Sequence, residues 1–159
     1  MKAQHIFYLG GIINMEQLHK SLNQQIANWS VLYTKLHKYH WYVKGPAFFK
    51  LHEKFEEFYN EATLMVDEVA ERLLTIGGQP LATLGEYVAN ASIKEDTNIN
   101  LTAEQMVTEL IADYETLVKE SRALIALAEE AEDQETADIF TEKISEIEKD
   151  VWMLKAFLG

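Results

Sequence analysis

The amino-acid sequence predicts an all-α protein built as a bundle of four long helices. Its 159 residues include only seven Gly and two Pro, the residue types that most disfavour a helix interior. Apolar residues recur every three or four positions along four long stretches, as expected for helices that each bury one face. The segments between these stretches are short, long and short in turn. Short links join neighbouring antiparallel helices, so the sequence predicts two helix pairs joined by one crossover.

The first helix is expected to run from Asn14 to about Val43. Asn14 and Gln17 resemble a capping box, in which the side chain of each residue bonds the backbone N–H of the other. The Gly45-Pro46 pair ends the helical pattern. The apolar stripe of this helix consists of Leu18, Leu22, Ile26, Trp29, Tyr33 and Leu36. The next position along the stripe is His40.

The second helix is expected from about Ala47 to Ile76, where Gly77-Gly78 would end it. At about 100° per residue its side chains fall on three faces. The apolar face, expected in the core, carries Phe55, Phe58, Tyr59, Ala62, Met65, Val66, Val69 and Leu73. A polar stripe lies beside it and carries His52, Glu56, Asn60, Thr63, Asp67 and Glu71. The third face is an acidic strip of Glu53, Glu57, Glu61 and Glu68.

The last two helices follow a long connection, residues 77–101, which has room for a short helix around residues 81–90. Thr102 and Gln105 form a second capping-box pattern and predict a third helix to about Glu130. The fourth helix is expected from Gln134 to about Phe157, with a heptad-like stripe of Ala137, Phe140, Ile144, Ile147, Val151 and Leu154. One long crossover between two antiparallel pairs is the ferritin-like arrangement of a four-helix bundle.

Composition narrows the classes of function. The net charge of −12 is spread along the chain, which disfavours a nucleic-acid backbone as partner and favours cations. The absence of cysteine excludes disulfides, thiolate metal sites and thiol catalysis. No apolar stretch approaches the length of a transmembrane helix, so we expect no membrane association and a cytoplasmic location.

Residues 1–14 are predicted to be an N-terminal tail, and residues 15–159 a single bundle domain. The tail, MKAQHIFYLGGIIN, has the outline of a signal peptide, since a lysine precedes a run of apolar residues. Two glycines interrupt that run, however, and no small-residue cleavage site follows. We therefore expect the tail to dock on its own subunit or on a neighbouring one.

The polar stripe of the second helix carries two pairs of metal-ligand residue types. His52 and Glu56 are four residues apart, as are Asp67 and Glu71, so each pair lies on one helix face. Imidazole and carboxylate ligands suit divalent iron, manganese or zinc. The two pairs are roughly 22 Å apart along a continuous helix, so one helix cannot bring them to the same metal.

The stripe is symmetric about a point between residues 61 and 62. Positions 52 and 71, 56 and 67, and 60 and 63 are related by that symmetry, so an antiparallel second copy would bring His52 towards the partner's Glu71. Such self-complementarity is what an isologous dimer requires, and it would create two identical sites. His40 could supply a second nitrogen. The alternatives are that the stripe is a solvated face and that His40 is a hydrogen-bonded core histidine.

Residues 40–78, HWYVKGPAFFKLHEKFEEFYNEATLMVDEVAERLLTIGG, resemble the signature of the Dps family, ferritin-like mini-cages named as DNA-binding proteins from starved cells. The resemblance extends over residues 15–159 and includes the ending IEKDVWMLKAFLG. It implies ferroxidase ligands at His40, His52 and Glu56 of one subunit, with Asp67 and Glu71 contributed by the two-fold mate. Position 56 is often Asp in this family, so the chain keeps a carboxylate there but lengthens it.

The resemblance also implies an assembly and an activity. The expected assembly is a dodecameric hollow shell that oxidises ferrous iron, preferentially with hydrogen peroxide, and stores ferric oxide inside. Glu53, Glu57 and Glu61 would nucleate the mineral if they faced the cavity, and otherwise are ordinary surface. Similar proteins have carboxylate-lined pores near the start of the last helix, where Glu129 and Asp138 are the nearest matches, although a solvated loop would look the same.

Three questions stay open at this level. A DNA-compacting role is the rival function, but Lys2 is the only lysine before Lys20, whereas DNA binding in such cages is associated with a Lys-rich terminus. A cage with a mainly structural or surface-interacting role is a third possibility. Trp41 either intercepts oxidising equivalents or packs at the dimer interface. His37 either supports a ligand of the metal site or is plain surface.

Overall fold

A computed structural model describes the backbone of residues 2–159 and the side chains of residues 15–159. This part of the chain is entirely helical apart from its connections, with α1 (Lys2–Tyr42), α2 (Phe48–Thr75), α3 (Leu84–Asn90), α4 (Ala103–Glu130) and α5 (Gln134–Leu158). Helix α1 packs against α2, and α4 against α5, while α1 also contacts α3 and α4. The predicted bundle with a helix-bearing crossover is therefore confirmed.

The start of α1 differs from the prediction. The helix begins at Lys2, so Asn14 lies inside it and does not cap it. A capping-box pattern starts a helix only where the preceding backbone leaves the helical conformation. Residues 2–13 contain no proline, and the two glycines among them lower helix propensity without forbidding the helix. The predicted docking of residues 1–14 concerns side chains outside the described residues.

The glycine pair ends α2 as predicted. Gly77 adopts a φ of +83°, and its N–H donates to the carbonyl of Leu74 at 3.0 Å. The N–H of Gly78 donates to the carbonyl of Leu73 at 2.8 Å, which completes a Schellman motif. A Cβ at position 78 would come within 2.1 Å of the Leu73 side chain, so glycine at this position serves the packing, whereas the turn itself depends on Gly77.

The second helix pair is defined by side-chain caps. Thr102 Oγ1 accepts from the N–H of Gln105 at 3.2 Å, and Gln105 Oε1 accepts from the N–H of Thr102 at 2.9 Å, so the predicted capping box is present. Between α4 and α5 the chain turns through Glu132, which has a φ of +58°. Asp133 then caps α5 by accepting from the N–H of Thr136 at 3.0 Å.

The core is largely the predicted one. All six stripe residues of α5 are buried, as are six of the residues expected on the apolar face of α2. Tyr59 and Val66 of that face are only partly buried. Tyr33 was predicted in the core but is 39 % exposed, because its side of α1 faces the crossover instead of α4. Over the described residues, none of the helices has both the length and the apolar character needed to span a membrane.

A buried polar network attaches the crossover to the bundle. Asn28 and Gln25, both fully buried, donate to Glu120 Oε2 at 2.6 and 3.3 Å. Ser92, from the crossover, donates to Glu120 Oε1, and its N–H donates to Asn28 Oδ1 at 2.8 Å. We call these four residues the crossover network. Because it joins α1, α4 and the crossover, it fixes the path of the long connection.

Candidate metal centre

Two histidines meet where α1 turns into α2. The chain reverses through Gly45, whose φ of +103° is in the region that favours glycine, and the reversal brings His40 against His52. The Nδ1–H of His40 donates to the carbonyl of His52 at 2.8 Å, and the Nδ1–H of His52 donates to the carbonyl of His40 at 2.8 Å. The rings stack with centroids 3.6 Å apart and planes 19° from parallel. Both side chains are therefore held by the backbone of the opposite helix.

These reciprocal bonds determine which ring nitrogens are free. A carbonyl oxygen can only accept, so Nδ1 carries the proton in both neutral rings and each Nε2 keeps its lone pair. When a histidine binds a metal through one ring nitrogen, the N–H of the other commonly donates to a carbonyl. This bond fixes both the tautomer and the orientation of the ring. The His40–His52 pair is thus prepared to offer two imidazole nitrogens to a cation.

Glu56 lies one turn beyond His52 on α2 and is exposed. Tyr59 follows it by another turn, with its ring perpendicular to that of His40 at a centroid distance of 5.5 Å. The pKa of Tyr59 is raised above its ordinary value, first by partial burial and then by the Glu56 carboxylate beside its hydroxyl. The structure therefore gathers imidazole, carboxylate and phenol groups at this end of α2.

Asp67 and Glu71 lie at the other end of α2. Both are exposed and line an open groove with Leu64, Glu68, Arg72 and Thr75. Neither carboxylate forms a side-chain hydrogen bond or ion pair within residues 15–159. Arg72 is the nearest cation along the helix, but its guanidinium turns to Asp133 and Thr136. The two carboxylates are consequently left un-neutralised by the side chains of residues 15–159.

The structure brings together part of the predicted ligand set. His40 and His52 touch and Glu56 shares their end of α2, whereas Asp67 and Glu71 are separated from them by about 22 Å of helix. Among the side chains that the structure describes, no three His, Asp or Glu residues of one chain are grouped to hold a metal ion. A site that used all five residues would need ligands from two chains.

Exposed apolar residues border the middle of the stripe. Leu64 is 69 % and Leu84 is 79 % exposed, and Leu84 lines a cavity together with Tyr33, Val66 and Tyr87. Exposed apolar residues grouped in this way mark contact surfaces more often than single exposed residues do. This surface has no signal in the sequence, because Leu84 lies in the crossover and its position depends on the tertiary fold.

The acidic strip of α2 is less acidic than its sequence indicates. Glu53 and Glu57 are exposed, but Lys50 Nζ lies 3.7 Å from Glu53 and Lys54 Nζ lies 2.7 Å from Glu57. Glu61 is half-buried, and its pKa is raised by burial and by the charge of Asp150. The strip is therefore a mixed surface of carboxylates and lysines.

The two predicted pore residues flank the turn between α4 and α5. Glu129 and Asp138 are both exposed, and Asp138 accepts a hydrogen bond from Gln134 at 2.7 Å. Trp41 is 67 % exposed, and its ring centroid lies 5.4 Å from that of His37. The exposure of Glu129 and Asp138 fits both a pore lining and a solvated loop, and the exposed ring of Trp41 fits both interception of oxidising equivalents and packing at a dimer interface.

Comparison with known proteins gives consistent results. Residues 19–159 match the ferritin-like domain family. A protein named DNA protection during starvation protein 2, from Bacillus anthracis, is 49% identical over 91% of this chain and 98% of its own length. The crystal structure of a Dps protein from Bacillus brevis superposes with a TM-score of 0.90 at 48% identity, over 92% of this chain and 97% of that one. The Dps protein of Vibrio cholerae, described as a ferritin-like diiron-carboxylate protein, superposes with a TM-score of 0.88 at 36% identity, over 92% of each chain.

Proposed function

The chain belongs to the Dps family of ferritin-like proteins, and from this premise we propose that it oxidises ferrous iron at sites shared by two subunits and stores the ferric product. His40, His52 and Glu56 of one subunit, with Asp67 and Glu71 of its two-fold mate, are the proposed ligands. The observation that carries the proposal is the reciprocal His40–His52 pair, which leaves both Nε2 atoms free to bind iron. The assembly is a dodecameric hollow shell built from two-fold dimers.

Three features of α2 support a shared site. The stripe is symmetric about a point between residues 61 and 62, as an isologous contact requires. Asp67 and Glu71 are exposed, and within residues 15–159 they have no cation as partner, so they are available to another chain. Leu64 and Leu84 supply apolar area around the symmetry point, which a second copy would bury.

The ligand set suits the proposed chemistry. Iron(II) accepts mixed imidazole and carboxylate ligation and keeps positions open for an oxidant. Two ferrous ions supply the two electrons that reduce one hydrogen peroxide and two protons to two waters, leaving two ferric ions. Because the electrons are delivered as a pair, the one-electron product, hydroxyl radical, is avoided. The protein's part is to hold two ions close together and to neutralise their charge with carboxylates.

The remaining predicted sites belong to the same proposal. Glu53 and Glu57, with Glu61, would face the cavity and nucleate ferric mineral, with Lys50 and Lys54 as competing partners of the first two. Glu129 and Asp138 would line the path by which iron reaches the interior. A net charge of −12 on each subunit would attract cations to the shell. The cytoplasm is the proposed location.

The second candidate function is direct DNA binding. The name of the Bacillus anthracis relative, a DNA protection protein, favours it. The charge of −12 opposes it, since binding to a phosphate backbone is driven by lysines and arginines that displace counterions. We therefore propose that this protein protects DNA by consuming iron and peroxide rather than by contacting the duplex. A DNA band retarded at physiological salt would contradict this choice.

Complementation between two inactive variants tests the shared site. His52→Ala removes one half of each site and Asp67→Ala the other, so each variant assembled alone should lose rapid oxidation. In a mixed dimer one of the two sites would keep all its ligands. Random pairing makes about half of the dimers mixed, so about a quarter of the sites should recover when the variants are co-expressed.

The measurement is ferric absorbance after anaerobic addition of ferrous iron and hydrogen peroxide, with radical trapping in parallel. Glu68→Ala is the matched control, because Glu68 is an exposed carboxylate beside Asp67 but outside the stripe. Oxidation at the parent rate by a protein with both His52→Ala and Asp67→Ala would show that the site is misassigned. Inactive single variants that stayed inactive when co-expressed would contradict the sharing of ligands between subunits.

A further inference from the structure

Tyr59 contacts both helices of the proposed site. Its ring is perpendicular to that of His40 at 5.5 Å, and it stacks on the ring of His37 at 3.7 Å with planes 22° from parallel. The sequence placed Tyr59 on the apolar face of α2, but the side chain is only half-buried and lies at the edge of the polar stripe. A tyrosine that served only to fill the core would not need these partners.

His37 stacks on the Tyr59 ring and is itself held in place. Its Nδ1 lies 3.1 Å from the carbonyl of Tyr33, one turn earlier on α1, so the imidazole is tied to its own helix. The ring also lies 4.4 Å from that of Tyr33. The Tyr59 ring is therefore in contact with two imidazoles of α1. Because the position of the ring depends on only two side-chain torsions, these contacts are enough to hold it.

Glu56 lacks the support that the two histidines have. The Nδ1–H groups of His40 and His52 are bound to backbone carbonyls, whereas Glu56 is exposed on a side chain with three rotatable bonds. Residues three apart on a helix are neighbours, so Tyr59 is placed to reach the Glu56 carboxylate. The pKa of Tyr59, raised first by partial burial and then by Glu56, is consistent with that proximity.

We propose that Tyr59 is a positioning residue of the metal centre, whose hydroxyl orients the Glu56 carboxylate and whose ring holds the imidazole of His40. This inference rests on the proposed function, because it assumes that His40 and Glu56 bind a metal ion. His37 does not bind the metal in this proposal; its ring stacks on Tyr59 and supports it. Partners of metal ligands typically change metal affinity by about 10- to 100-fold when they are removed.

Cobalt(II) is the probe that separates positioning from packing. Its visible absorption bands report the ligand geometry, and its titration gives an affinity without turnover. Tyr59→Phe keeps the ring and its stacking on His37 but removes the hydroxyl, so a packing role would leave both readouts unchanged. We expect the variant to bind cobalt about 10-fold more weakly and to shift the absorption bands. Tyr87→Phe is the matched control, since Tyr87 is a half-buried tyrosine on α3 that lines the apolar cavity.

A double-mutant cycle with Glu56→Asp makes the test specific. Aspartate is shorter by one methylene, so its carboxylate is not expected to reach the Tyr59 hydroxyl. Tyr59→Phe should therefore weaken cobalt binding in the parent and have no further effect in the Glu56→Asp background. Full additivity of the two losses, or parent-like spectra and affinity for Tyr59→Phe, would overturn the positioning role.

Failure of the proposed function would give a different result. His52→Ala should abolish the cobalt bands if the metal centre is where we propose. Bands that survived His52→Ala would reject the centre and, with it, the role of Tyr59. Bands that depended on His52 but not on the Tyr59 hydroxyl would reject only the positioning role.

Discussion

The crossover network and the polar stripe of α2 use their polar groups in opposite ways. In the network, Glu120 accepts from Asn28, Gln25 and Ser92, and both amide residues are fully buried. In the stripe, Asp67 and Glu71 are exposed and have no side-chain partner within residues 15–159. Both sets are polar residues of one bundle, yet among the described side chains only the first set finds its partners.

The difference separates groups that stabilise the fold from groups that are free to bind. Removing one member of a buried network leaves its partners unsatisfied, at a cost of about 1–3 kcal/mol. Removing an exposed carboxylate without partners costs the fold almost nothing. His40 and His52 do both, since the Nδ1–H of each donates to a backbone carbonyl and its Nε2 remains available to a ligand. The stripe is therefore where this chain has polar groups to offer to something else.

The largest effect is expected from Asp67→Asn, which keeps the shape of the side chain and removes its charge. Loss of a direct ligand should slow iron oxidation by at least about 100-fold, since even indirect partners of metal ligands are worth 10- to 100-fold. The free energy of unfolding in urea should change by less than about 0.5 kcal/mol. A variant that lost stability together with activity would place Asp67 in the same class as Glu120, and the comparison would fail.

The next effect is expected from Asn28→Ala in the crossover network. Ser92 N–H and Glu120 would each lose a partner in a buried setting, so the free energy of unfolding should fall by about 2–3 kcal/mol. Iron oxidation per folded protein should stay at the parent rate. Asn100→Ala, at an exposed position of the crossover, is the control and should remain within about 0.5 kcal/mol of the parent. Equal losses at the two positions would show that burial is not what distinguishes the network.

The sequence predicted those parts of the fold whose causes are local. Gly77-Gly78 ends α2 and Thr102 with Gln105 begins α4, because a glycine conformation and a capping box each act over a few residues. The apolar stripe of α5 is buried as its spacing predicted, because the heptad-like repeat keeps all six residues on one face of the helix. The predicted start of α1 is wrong for the converse reason. The capping pattern at Asn14 has no effect because the upstream residues continue the helix.

Features that depend on distant parts of the chain could not be predicted in this way. Gln25 and Glu120 are 95 residues apart, so no local pattern links them. The helix faces of Tyr33 and Tyr59 predict positions in the core, but Tyr33 lines a cavity with Leu84 from the crossover and Tyr59 borders the histidines. For the site, spacing alone selected the stripe, whereas the bonds that orient His40 and His52 follow from the turn at Gly45. The pairing of Asp67 and Glu71 with these histidines stays a prediction about two subunits.

Asp133 tests the comparison at the point where the stripe ends. It receives hydrogen bonds from Thr136 and Arg72, and Arg72 is the residue directly after Glu71. Burial alone would raise the pKa of Asp133, but the bonds from Thr136 and Arg72 outweigh it and hold the pKa below its ordinary value of 3.8. Asp133→Asn keeps a capable N-cap but loses the charge, so at pH 7 it should cost about 1 kcal/mol.

The pH dependence follows from the direction of this shift. A carboxyl group with a lowered folded-state pKa stabilises the protein above its unfolded pKa, and the contribution is lost as the pH falls through the folded value. The difference in unfolding free energy between the parent and Asp133→Asn should therefore be constant from pH 7 to about pH 5. It should shrink once the pH falls below the ordinary pKa of 3.8 and disappear below the lowered folded-state pKa. Urea unfolding at a series of pH values measures it. A difference that grew towards acid pH would mean that the charge of Asp133 does not stabilise the fold.

The smallest effect is expected at Glu132, and it has the opposite sign. Glu132 is the exposed residue that carries α4 into α5 with a φ of +58°, a conformation in which a Cβ is unfavourable by about 1 kcal/mol. The N–H groups of Glu132 and Asp133 donate to the carbonyls of Glu129 and Ala128, as in the glycine-terminated end of α2. Glu132→Gly should therefore stabilise the protein by about 0.5–1 kcal/mol, whereas Glu130→Gly, within the last turn of α4, should destabilise it by a similar amount. Thermal unfolding of the two variants at one protein concentration makes the comparison. If both glycines destabilised the protein, the carboxylate of Glu132 would be contributing to the α4–α5 turn, and this exposed group would belong with the crossover network instead of with the free carboxylates of α2.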